Sequence, residues 1–389
     1  MDPAARAFRP WAFLAVAWAV NVSINAFYIA PAPVFVPMIE DLGISKAQAG
    51  SLISAYLLSI LAFQLPAGYV IDRADPRKIV PLASLALLAT AVGMTALPSY
   101  TALLGLRILA GIPVAFVFVP SAFLVSRAFA RTPGRAVGVF LSAPPAGVAL
   151  GNLLGPFVAA AWGWPAVFAA FALPLVVLVP LFVLVSRGLP PRDHEAFGLG
   201  DFLRAFRDAE LWKIGLAFAS SYAAYIFFSS WTPTYLKESG VLDATAISLL
   251  SASIPAAGIL SRPLGGYLAE TRAARDKRWV PGVAFLLSIG VSAGIPFLGV
   301  GAAPLLVAAG FLAQFPFSVY YLFSAQVLPA KFRGTAFAFM NTASLIGGAI
   351  APALAGFLVD VSGSFLAAFA MIAGNAALGL VVVARVRER

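Results

Sequence analysis

Two arginines are the only ionisable side chains that the sequence places inside long apolar runs, Arg107 and Arg262. The sixteen acidic residues lie instead in polar stretches or at the ends of those runs. A charged group at membrane depth is costly and marks a functional candidate. Because no carboxylate is available to neutralise it, a guanidinium facing a cavity calls for an anion. Its planar fork suits a carboxylate or another oxyanion bidentately.

The two arginines differ in the role that their positions predict. Arg262 lies eight residues before Glu270, between Ser261 and Pro263. Anion binding is its favoured role, and a cation extending toward the membrane face is the alternative. Arg107 lies near the start of its apolar run, where a structural role bonded to main-chain carbonyls is favoured over a place facing the cavity.

Neutral polar side chains recur at helical spacing in three of the apolar runs. These residues are Asn21, Asn25 and Tyr28; Tyr222, Tyr225 and Ser229; and Gln314, Ser318 and Tyr321. Any one stripe is equally consistent with hydrogen bonds between helices. Together the three predict a polar cavity in which tyrosine hydroxyls and asparagine amides donate to an anion.

Several other chemistries lack the residues they need. The chain has no cysteine, which excludes disulfides, iron–sulfur clusters and thiolate zinc sites, and its single histidine, His194, lies in a polar stretch. We therefore predict no enzyme, no metal site and no cofactor. A channel would need a charged ring or a carbonyl filter repeated by symmetry, which the sequence does not suggest.

The elements that position these residues are predicted to be membrane helices. Of 389 residues, 61% are hydrophobic and 11% are charged, and the mean hydropathy is +0.93. Runs long enough to cross a bilayer occur at roughly 11–37, 47–71, 79–98, 100–126, 136–160, 164–186, 212–236, 245–268, 279–299, 302–327, 336–358 and 364–384. The predicted fold class is an all-α membrane protein with twelve transmembrane helices.

Basic residues are distributed unequally between alternate loops. Twenty-two of the 26 Lys and Arg fall on one side of the predicted membrane, whereas Lys46 and Lys237 fall on the other. The positive-inside rule then places both termini in the cytoplasm. The net charge of +10 is thus a consequence of topology, and we expect no nucleic-acid partner. The predicted protein is a multi-pass monomer in the lipid bilayer of the cytoplasmic (inner) membrane.

An internal repeat divides the chain. Gly68-Tyr69 recurs as Gly266-Tyr267, Asp72 as Glu270, and Arg135 as Arg333, each with an offset of 198 residues. This predicts two pseudo-symmetric six-helix bundles, residues 1–186 and 211–389, joined by a cytoplasmic linker over 187–210. Residues 201–209 have the spacing of a short amphipathic helix, although a simple connection is the favoured interpretation.

Three segments resemble the major facilitator superfamily, whose members are alternating-access transporters. The matching residues are Gly68, Asp72, Arg73 and Arg77 in the loop after the second helix; Arg107, Gly111 and Pro120 in the fourth; and Gly147, Gly151, Gly155 and Pro156 in the fifth. The second-half loop departs from the signature, since Glu270-Thr271-Arg272 stands in place of Asp-Arg.

The motif residues also have direct physical interpretations. A carboxylate at Asp72, beside Arg73, is placed to bond to the other half or to a helix N-terminus and hold one conformation closed; solvated loop charges are the alternative. Gly147, Gly151 and Gly155 lie at i, i+4 and i+8 and predict close helix packing rather than substrate contact.

Within the superfamily, residues 262–268 (RPLGGYL) resemble the eighth helix of the nitrate/nitrite porters, in which an arginine contacts the anion. That family also carries an arginine on its second helix, where this chain has Gln64. Gln64 and Arg262 are again 198 residues apart. The resemblance thus implies an oxyanion-type site, and the missing arginine makes a small organic carboxylate at least as good a candidate as nitrate.

The sequence predicts a secondary transporter that moves a small anion by alternating access, in the manner of an anion exchanger. The predicted substrate-binding residues are Arg262, Gln64, Asn25, Tyr28, Tyr222, Tyr225, Gln314 and Tyr321. The alternative is a proton-coupled exporter of drugs or hydrophobic compounds, which the 32 phenylalanines and Arg107 favour. Such exporters commonly use a carboxylate within the membrane, and the sequence places none there.

Overall fold

The computed structural model describes residues 9–129, 133–189, 207–270, 276–327 and 333–387. Within these ranges, twelve helical segments are long and apolar enough to cross a membrane, as the sequence predicts. Several segments consist of two consecutive helices that meet at a bend.

The first six segments are α1 (Pro10–Ile29, continued by Ala32–Val34 and Phe35–Leu42), α2 (Lys46–Arg73), α3 (Pro76–Ala96), α4 (Tyr100–Ala115 and Phe118–Ala128), α5 (Pro133–Phe140 and Ala143–Trp162) and α6 (Ala166–Ala172 and Leu175–Ser186). The last six are α7 (Ala209–Glu238), α8 (Ala244–Glu270), α9 (Trp279–Leu298, continued by Gly299–Ala302), α10 (Ala303–Gln314 and Phe317–Val327), α11 (Arg333–Ser362) and α12 (Phe365–Ala384).

Proline accounts for several of the bends. Pro31 lies at the break in α1, Pro174 at the break in α6 and Pro316 at the break in α10. Proline has no N–H to donate and disfavours helical backbone before it. Membrane helices tolerate this because neighbouring groups satisfy the freed carbonyls.

Large apolar side chains cover the outside of the bundle. Leu82 of α3 is 71% exposed, Leu260 of α8 is 74% exposed and Phe297 of α9 is 77% exposed. Such a surface is stable in hydrocarbon and aggregates in water. With twelve apolar helices, the protein is a multi-pass integral membrane protein.

Two equivalent helix pairs join the first six helices to the last six. α2 packs extensively against α11, and α5 packs against α8. Exchanging the halves converts α2 into α8 and α5 into α11, so each pair is converted into the other. This is the contact pattern that a pseudo-two-fold repeat requires.

The halves also repeat one polar contact at their sixth helices. Arg77 pairs with Asp75 (2.8 Å) and donates to the carbonyl of Leu189, just after α6. Arg278 pairs with Asp276 (2.7 Å) and donates to the carbonyl of Val386, just after α12. The hydrogen bonds from Arg77 hold the pKa of Asp75 below its ordinary value.

The domain boundaries stay a prediction, with α6 ending at Ser186 and α7 beginning at Ala209. Most of the linker, and with it the first part of the amphipathic segment 201–209, lies outside the described residues. The orientation of the termini is likewise a prediction. Below, the predicted outer end is the end of the bundle that contains Lys46, Glu238 and Asp360, and the opposite end is the predicted cytoplasmic end.

Candidate functional site

A cavity of about 390 Å³ lies between the two halves. Its described walls come from α1, α2, α4 and α5 and from the four repeat-related helices α7, α8, α10 and α11. The lining residues of α8 are in its part nearer the predicted cytoplasmic end, whereas those of α2 are in its middle, from Tyr56 to Gln64. Ser54, which accepts from the main-chain N–H of Ala353 of α11, precedes them, so the cavity lies on the predicted cytoplasmic side of that contact between the halves.

Contacts between the halves close the cavity toward the predicted outer end. The ring of Phe35 packs on Trp231 with centroids 5.0 Å apart. Deeper in the bundle, the Asn152 amide donates to the carbonyl of Ser229 over 2.9 Å. Both contacts join a first-half helix to α7, so they separate the cavity from the predicted outer end.

The ends of α2 and α11 form a second contact at the predicted outer end, which we call the outer contact (Lys46, Ala47, Glu238 and Asp360). The Asp360 carboxylate accepts from the main-chain N–H groups of Lys46 (3.0 Å) and Ala47 (2.7 Å). The Lys46 ammonium pairs with Glu238 at 2.9 Å. A carboxylate from α11 thus satisfies orphan donors at the N-terminus of α2.

Arg262 lies on the cavity wall. Its Nη2 donates to Oε1 of Gln314 over 2.7 Å, and its guanidinium carbon lies 4.7 Å from the Phe317 ring centroid and 5.6 Å from that of Tyr225. Its Nε–H is buried and has no hydrogen-bond partner in the part of the chain that the structure describes. The protein therefore orients this cation with neutral groups and leaves part of its donor capacity unused.

The local sequence explains how Arg262 is held. A Cβ on Gly258 would overlap the Gln314 side chain, and one on Gly265 would overlap the carbonyl of Phe315. These glycines let α10 approach α8 closely, near the break at Pro316. Ser318, just after that break, donates to the carbonyl of Arg262 over 2.8 Å.

Gln314 has a different place from the predicted one. It is fully buried and is not among the residues that line the cavity. Its Nε2 donates to the carbonyls of Ile254 and Gly310, each over 3.1 Å, while its Oε1 accepts from Arg262. These bonds engage its amide with the protein and favour a role in positioning Arg262, while substrate contact by Gln314 stays a prediction.

Two tyrosines from the first half stand at the closed end of the cavity. The rings of Tyr28 and Tyr56 stack at 5.4 Å, and both residues line the cavity. Their hydroxyls are buried and have no hydrogen-bond partner among the described residues. An unpaired buried hydroxyl is costly, so a ligand that offers an acceptor there would be stabilised.

The other predicted binding residues also line the cavity: Asn25, Gln64, Tyr222, Tyr225 and Tyr321. The Asn25 amide donates to the carbonyl of Asn21 over 2.8 Å, and Asn21 donates in turn to Ala17. Each amide nitrogen therefore has one N–H engaged with its own helix and one left for a ligand.

Arg107 is fully buried and lies off the cavity wall. It donates to the carbonyls of Phe27 (3.3 Å) and Tyr28 (3.0 Å), and its guanidinium lies over the rings of Phe27, Tyr56 and Phe168. Pro31 cannot donate to the Phe27 carbonyl, which accepts instead from the main-chain N–H of Ala30 (3.3 Å) and from Arg107. This geometry supports the structural role.

The α5 glycines face α1. A Cβ on Gly147 would overlap the carbonyl of Val22, one on Gly151 would overlap the side chain of Ile29, and one on Gly155 would lie 2.5 Å from Pro33. Pro156 follows inside the same helix. The positions agree with the packing interpretation.

Three predicted gating side chains cannot be placed. The backbone at Gly68, Asp72, Arg73 and Glu270 is helical, while the side chains of the last three lie outside the described part of the structure. The proposed role of Asp72 and Arg73 in closing the predicted cytoplasmic end stays a prediction. Arg77, in contrast, bonds within its own half.

Three important residues were not predicted. Tyr56 lies on one face with Ile60 and Gln64, at i, i+4 and i+8, and this spacing could have identified it. Phe317 follows a helix break, where no periodicity applies. Asp360 is one of the sixteen acids outside the apolar runs, and its partner at the start of α2 is too distant in sequence for spacing to indicate the contact.

A helical bundle built from two repeated halves around one cavity defines a membrane transporter. The chain belongs to the Major Facilitator Superfamily, whose sequence model matches residues 16–323. It is therefore a transporter and not an enzyme.

Several known proteins are similar to this chain over most of its length. It is 25% identical to the probable sulfoacetate transporter SauU of Cupriavidus necator, over 93% of this chain and 88% of that protein. It is also 25% identical to the hexuronate transporter of Bacillus subtilis, over 89% of this chain and 87% of the relative. The purine ribonucleoside efflux pump NepI of Salmonella typhimurium is 28% identical over 66% of this chain and 64% of that protein.

Solved structures share the fold. A bacterial homologue of the human lysosomal transporter Spinster, crystallised in an inward-facing, unoccupied conformation, superposes with a TM-score of 0.78 at 17% identity. The alignment covers 97% of this chain and 95% of that one. The occupied form of that protein gives a TM-score of 0.75.

Proposed function

We propose that this transporter carries a small organic carboxylate or inorganic oxyanion by alternating access, with Arg262 binding the anionic group. The observation that carries the proposal is the charge of the cavity. Arg262 is the one charged residue among the described residues that line it, and its protein partners are neutral. A cation that is taken out of water without a counter-ion is strongly disfavoured, so an anionic ligand is the natural partner.

The relatives agree with an anionic substrate. Sulfoacetate and hexuronate, which appear in the names of two of them, are both anions. The purine ribonucleoside relative covers less of the chain and is named for a neutral substrate. The exporter alternative drew support from Arg107, and that residue is bonded to α1 behind the wall. We therefore favour the anion.

Gln64 takes the place opposite Arg262 in the proposed site. Both residues line the cavity, one from each half. In the nitrate/nitrite porters that residues 262–268 resemble, the second helix supplies another arginine. A neutral amide at Gln64 halves the positive charge offered to the ligand, which favours a singly charged carboxylate over an anion held by two cations.

A ligand screen on purified protein tests the proposal. Thermal unfolding in detergent would be followed with the sodium salts of acetate, benzoate, succinate, glucuronate and nitrate, with sodium chloride matching ionic strength. Ligand binding increases the free energy of unfolding by mass action, by about 2.7 kcal/mol at a ligand concentration of a hundred times Kd. This stabilisation raises the unfolding temperature. We expect a shift with at least one anion, and no shift in Arg262→Gln.

The matched control is Arg187→Gln, which removes an exposed arginine after α6. It should respond to the anion as the unaltered protein does. An equal response of Arg262→Gln to every anion would contradict the proposed role of Arg262.

A further inference from the structure

Resting on the proposed function, we propose that the substrate is an aromatic monocarboxylate. Its carboxylate pairs with Arg262, and its ring lies among the aromatic side chains that the two halves contribute to the cavity. Three features of the described cavity carry this inference: one charge, many ring faces and unpaired hydroxyls at the closed end.

The charge count limits the ligand to a single negative group. Among the described lining residues, Arg262 alone is charged, so a second carboxylate or sulfonate would find no cation. The desolvation cost of a second charged group without a counter-charge is larger than the stabilisation that neutral side chains can provide. No described lining residue is acidic either, so a zwitterion would leave its ammonium unpaired.

Aromatic rings form much of the wall. Tyr28 and Tyr56 stand on the first-half side. On the other side Tyr225 and Phe317 contact Arg262, and Tyr222 packs against both of these rings. Aromatic pairs prefer offset-stacked or edge-to-face geometry, in which a flat ring contacts several partners at once. Ile24, Leu57, Val114 and Val148 fill the gaps between these polar and aromatic residues.

The arrangement around Arg262 also favours a flat acid. The rings of Phe317 and Tyr225 lie over the guanidinium at 4.7 and 5.6 Å. Aromatic contacts of this kind accept no hydrogen bond in the guanidinium plane, so they do not compete with a carboxylate for its N–H groups. We place a ring attached directly to that carboxylate in the same cavity, which Tyr28 and Tyr56 also line.

The unpaired hydroxyls suit a ligand with few polar groups. Tyr28 and Tyr56 offer two hydroxyls at the closed end, enough for one or two acceptors on the far side of a ring. A hexuronate would bring several hydroxyls into a wall of mostly apolar side chains, where unpaired polar groups are costly. We therefore expect the preference of this chain to differ from that of its hexuronate-transporting relative.

The experiment compares ligands that change one property at a time. Affinities for the purified full-length protein would be measured by thermal-shift titration with benzoate, benzamide, cyclohexanecarboxylate, acetate, succinate and glucuronate. We expect benzoate to bind at least about tenfold more tightly than acetate, because the ring buries apolar surface. Cyclohexanecarboxylate should be weaker than benzoate, and benzamide should give no shift.

The variant Phe317→Leu provides a second test of the aromatic class. It removes the ring beside Arg262 and keeps an apolar side chain, so the ratio of benzoate to acetate affinity should fall by about threefold or more. The ratio is informative even when the variant is less stable, because both ligands are measured on the same protein.

The outcomes separate this inference from the proposed function. If succinate, glucuronate or acetate binds more tightly than benzoate and the effect is lost in Arg262→Gln, the anion site stands and the aromatic class is wrong. Equal affinity for cyclohexanecarboxylate and benzoate also overturns the aromatic class. If benzamide and benzoate bind equally, both to the unaltered protein and to Arg262→Gln, the anion site itself is wrong.

Discussion

The guanidinium of Arg262 differs from that of Arg107 in what surrounds it. Both side chains contact aromatic rings, yet Arg107 lies off the cavity wall and donates to two main-chain carbonyls of α1. Arg262 lies on the cavity wall and donates to the side-chain amide of Gln314 behind it. The sequence placed both residues in apolar runs and could rank them only by position. Their partners, which are distant along the chain, separate a packing arginine from a binding one.

Arg262→Lys should impair transport although it keeps the charge. A lysine ammonium is a point charge and cannot donate in parallel to both oxygens of a carboxylate. We expect uptake of the best anion from the ligand screen into proteoliposomes to fall by about tenfold or more, with the unfolding temperature little changed. Arg187→Lys is the control, and undiminished uptake by Arg262→Lys would contradict bidentate binding.

Gln314→Glu should weaken anion binding although residue 314 does not line the cavity. A carboxylate at this position would lie where Oε1 accepts from Arg262 at 2.7 Å and would neutralise the cation. We expect anion affinity near neutral pH to fall by at least about tenfold, measured by thermal-shift titration. Gln314→Met, which also loses the bonds to Ile254 and Gly310, controls for lost packing and should keep more affinity than Gln314→Glu.

At the scale of helices, the outer contact joins the two halves at the predicted outer end. Asp360 accepts from two main-chain N–H groups of α2 and so caps a helix that belongs to the other half. Ser45 and Gln48 also cap each other's N–H groups at the same end. The α2 N-terminus therefore remains partly satisfied when α11 moves away, which lowers the cost of opening.

Asp360→Asn should favour opening at the predicted outer end. The amide oxygen can accept from only one of the two N–H groups, its NH2 group cannot accept from the other, and the charge is lost. A charge-assisted bond is also worth about twice a neutral one. We expect the population with this end open to rise by about tenfold, a change of roughly 1.4 kcal/mol. Distance measurements between spin labels on α2 and α11 would check this, with Glu40→Gln as the control for losing an outer acid.

Gly151→Val tests the packing between α1 and α5. A Cβ at this position already overlaps the Ile29 side chain, and overpacking of a tight interface typically costs about 1–3 kcal/mol. The unfolding temperature should fall. Gly138→Val, at a glycine whose Cβ would meet nothing within 4 Å, is the matched control on the same segment.

Much of the fold could be predicted from the sequence. Helix number followed from apolar length, and the bends follow in part from Pro31, Pro174 and Pro316. The face of α1 that lines the cavity followed from the spacing of Asn21, Asn25 and Tyr28. The role of Gln314 and the contact of Asp360 could not be predicted, because both depend on which helices meet across sequence separations that periodicity does not encode.

At the scale of the whole molecule, charge balance predicts the transport mode. An empty carrier would have to bury Arg262 without a counter-ion while it changes conformation. An unpaired buried charge is unfavourable by about several kcal/mol. Arg262 cannot release its proton to escape this cost. Exchange of one anion for another should therefore be faster than net movement.

The measurement is uptake of the labelled anion into liposomes with and without the same anion inside. We expect the initial rate to be higher with internal substrate. Equal rates, with transport lost on neutralising Asp72 or Glu270 and kept on neutralising Arg262, would show that other charged groups govern the cycle.

Two glycines on α2 and α11 touch the opposite helix so closely that no methyl group fits. A Cβ on Gly50 would overlap the carbonyl of Pro352, and one on Gly356 would overlap the carbonyl of Lys46. These clashes belong to the state in which this end is closed. An alanine at Gly356 therefore acts as a wedge, which should leave each half intact while it holds the carrier open to the opposite compartment for structure determination.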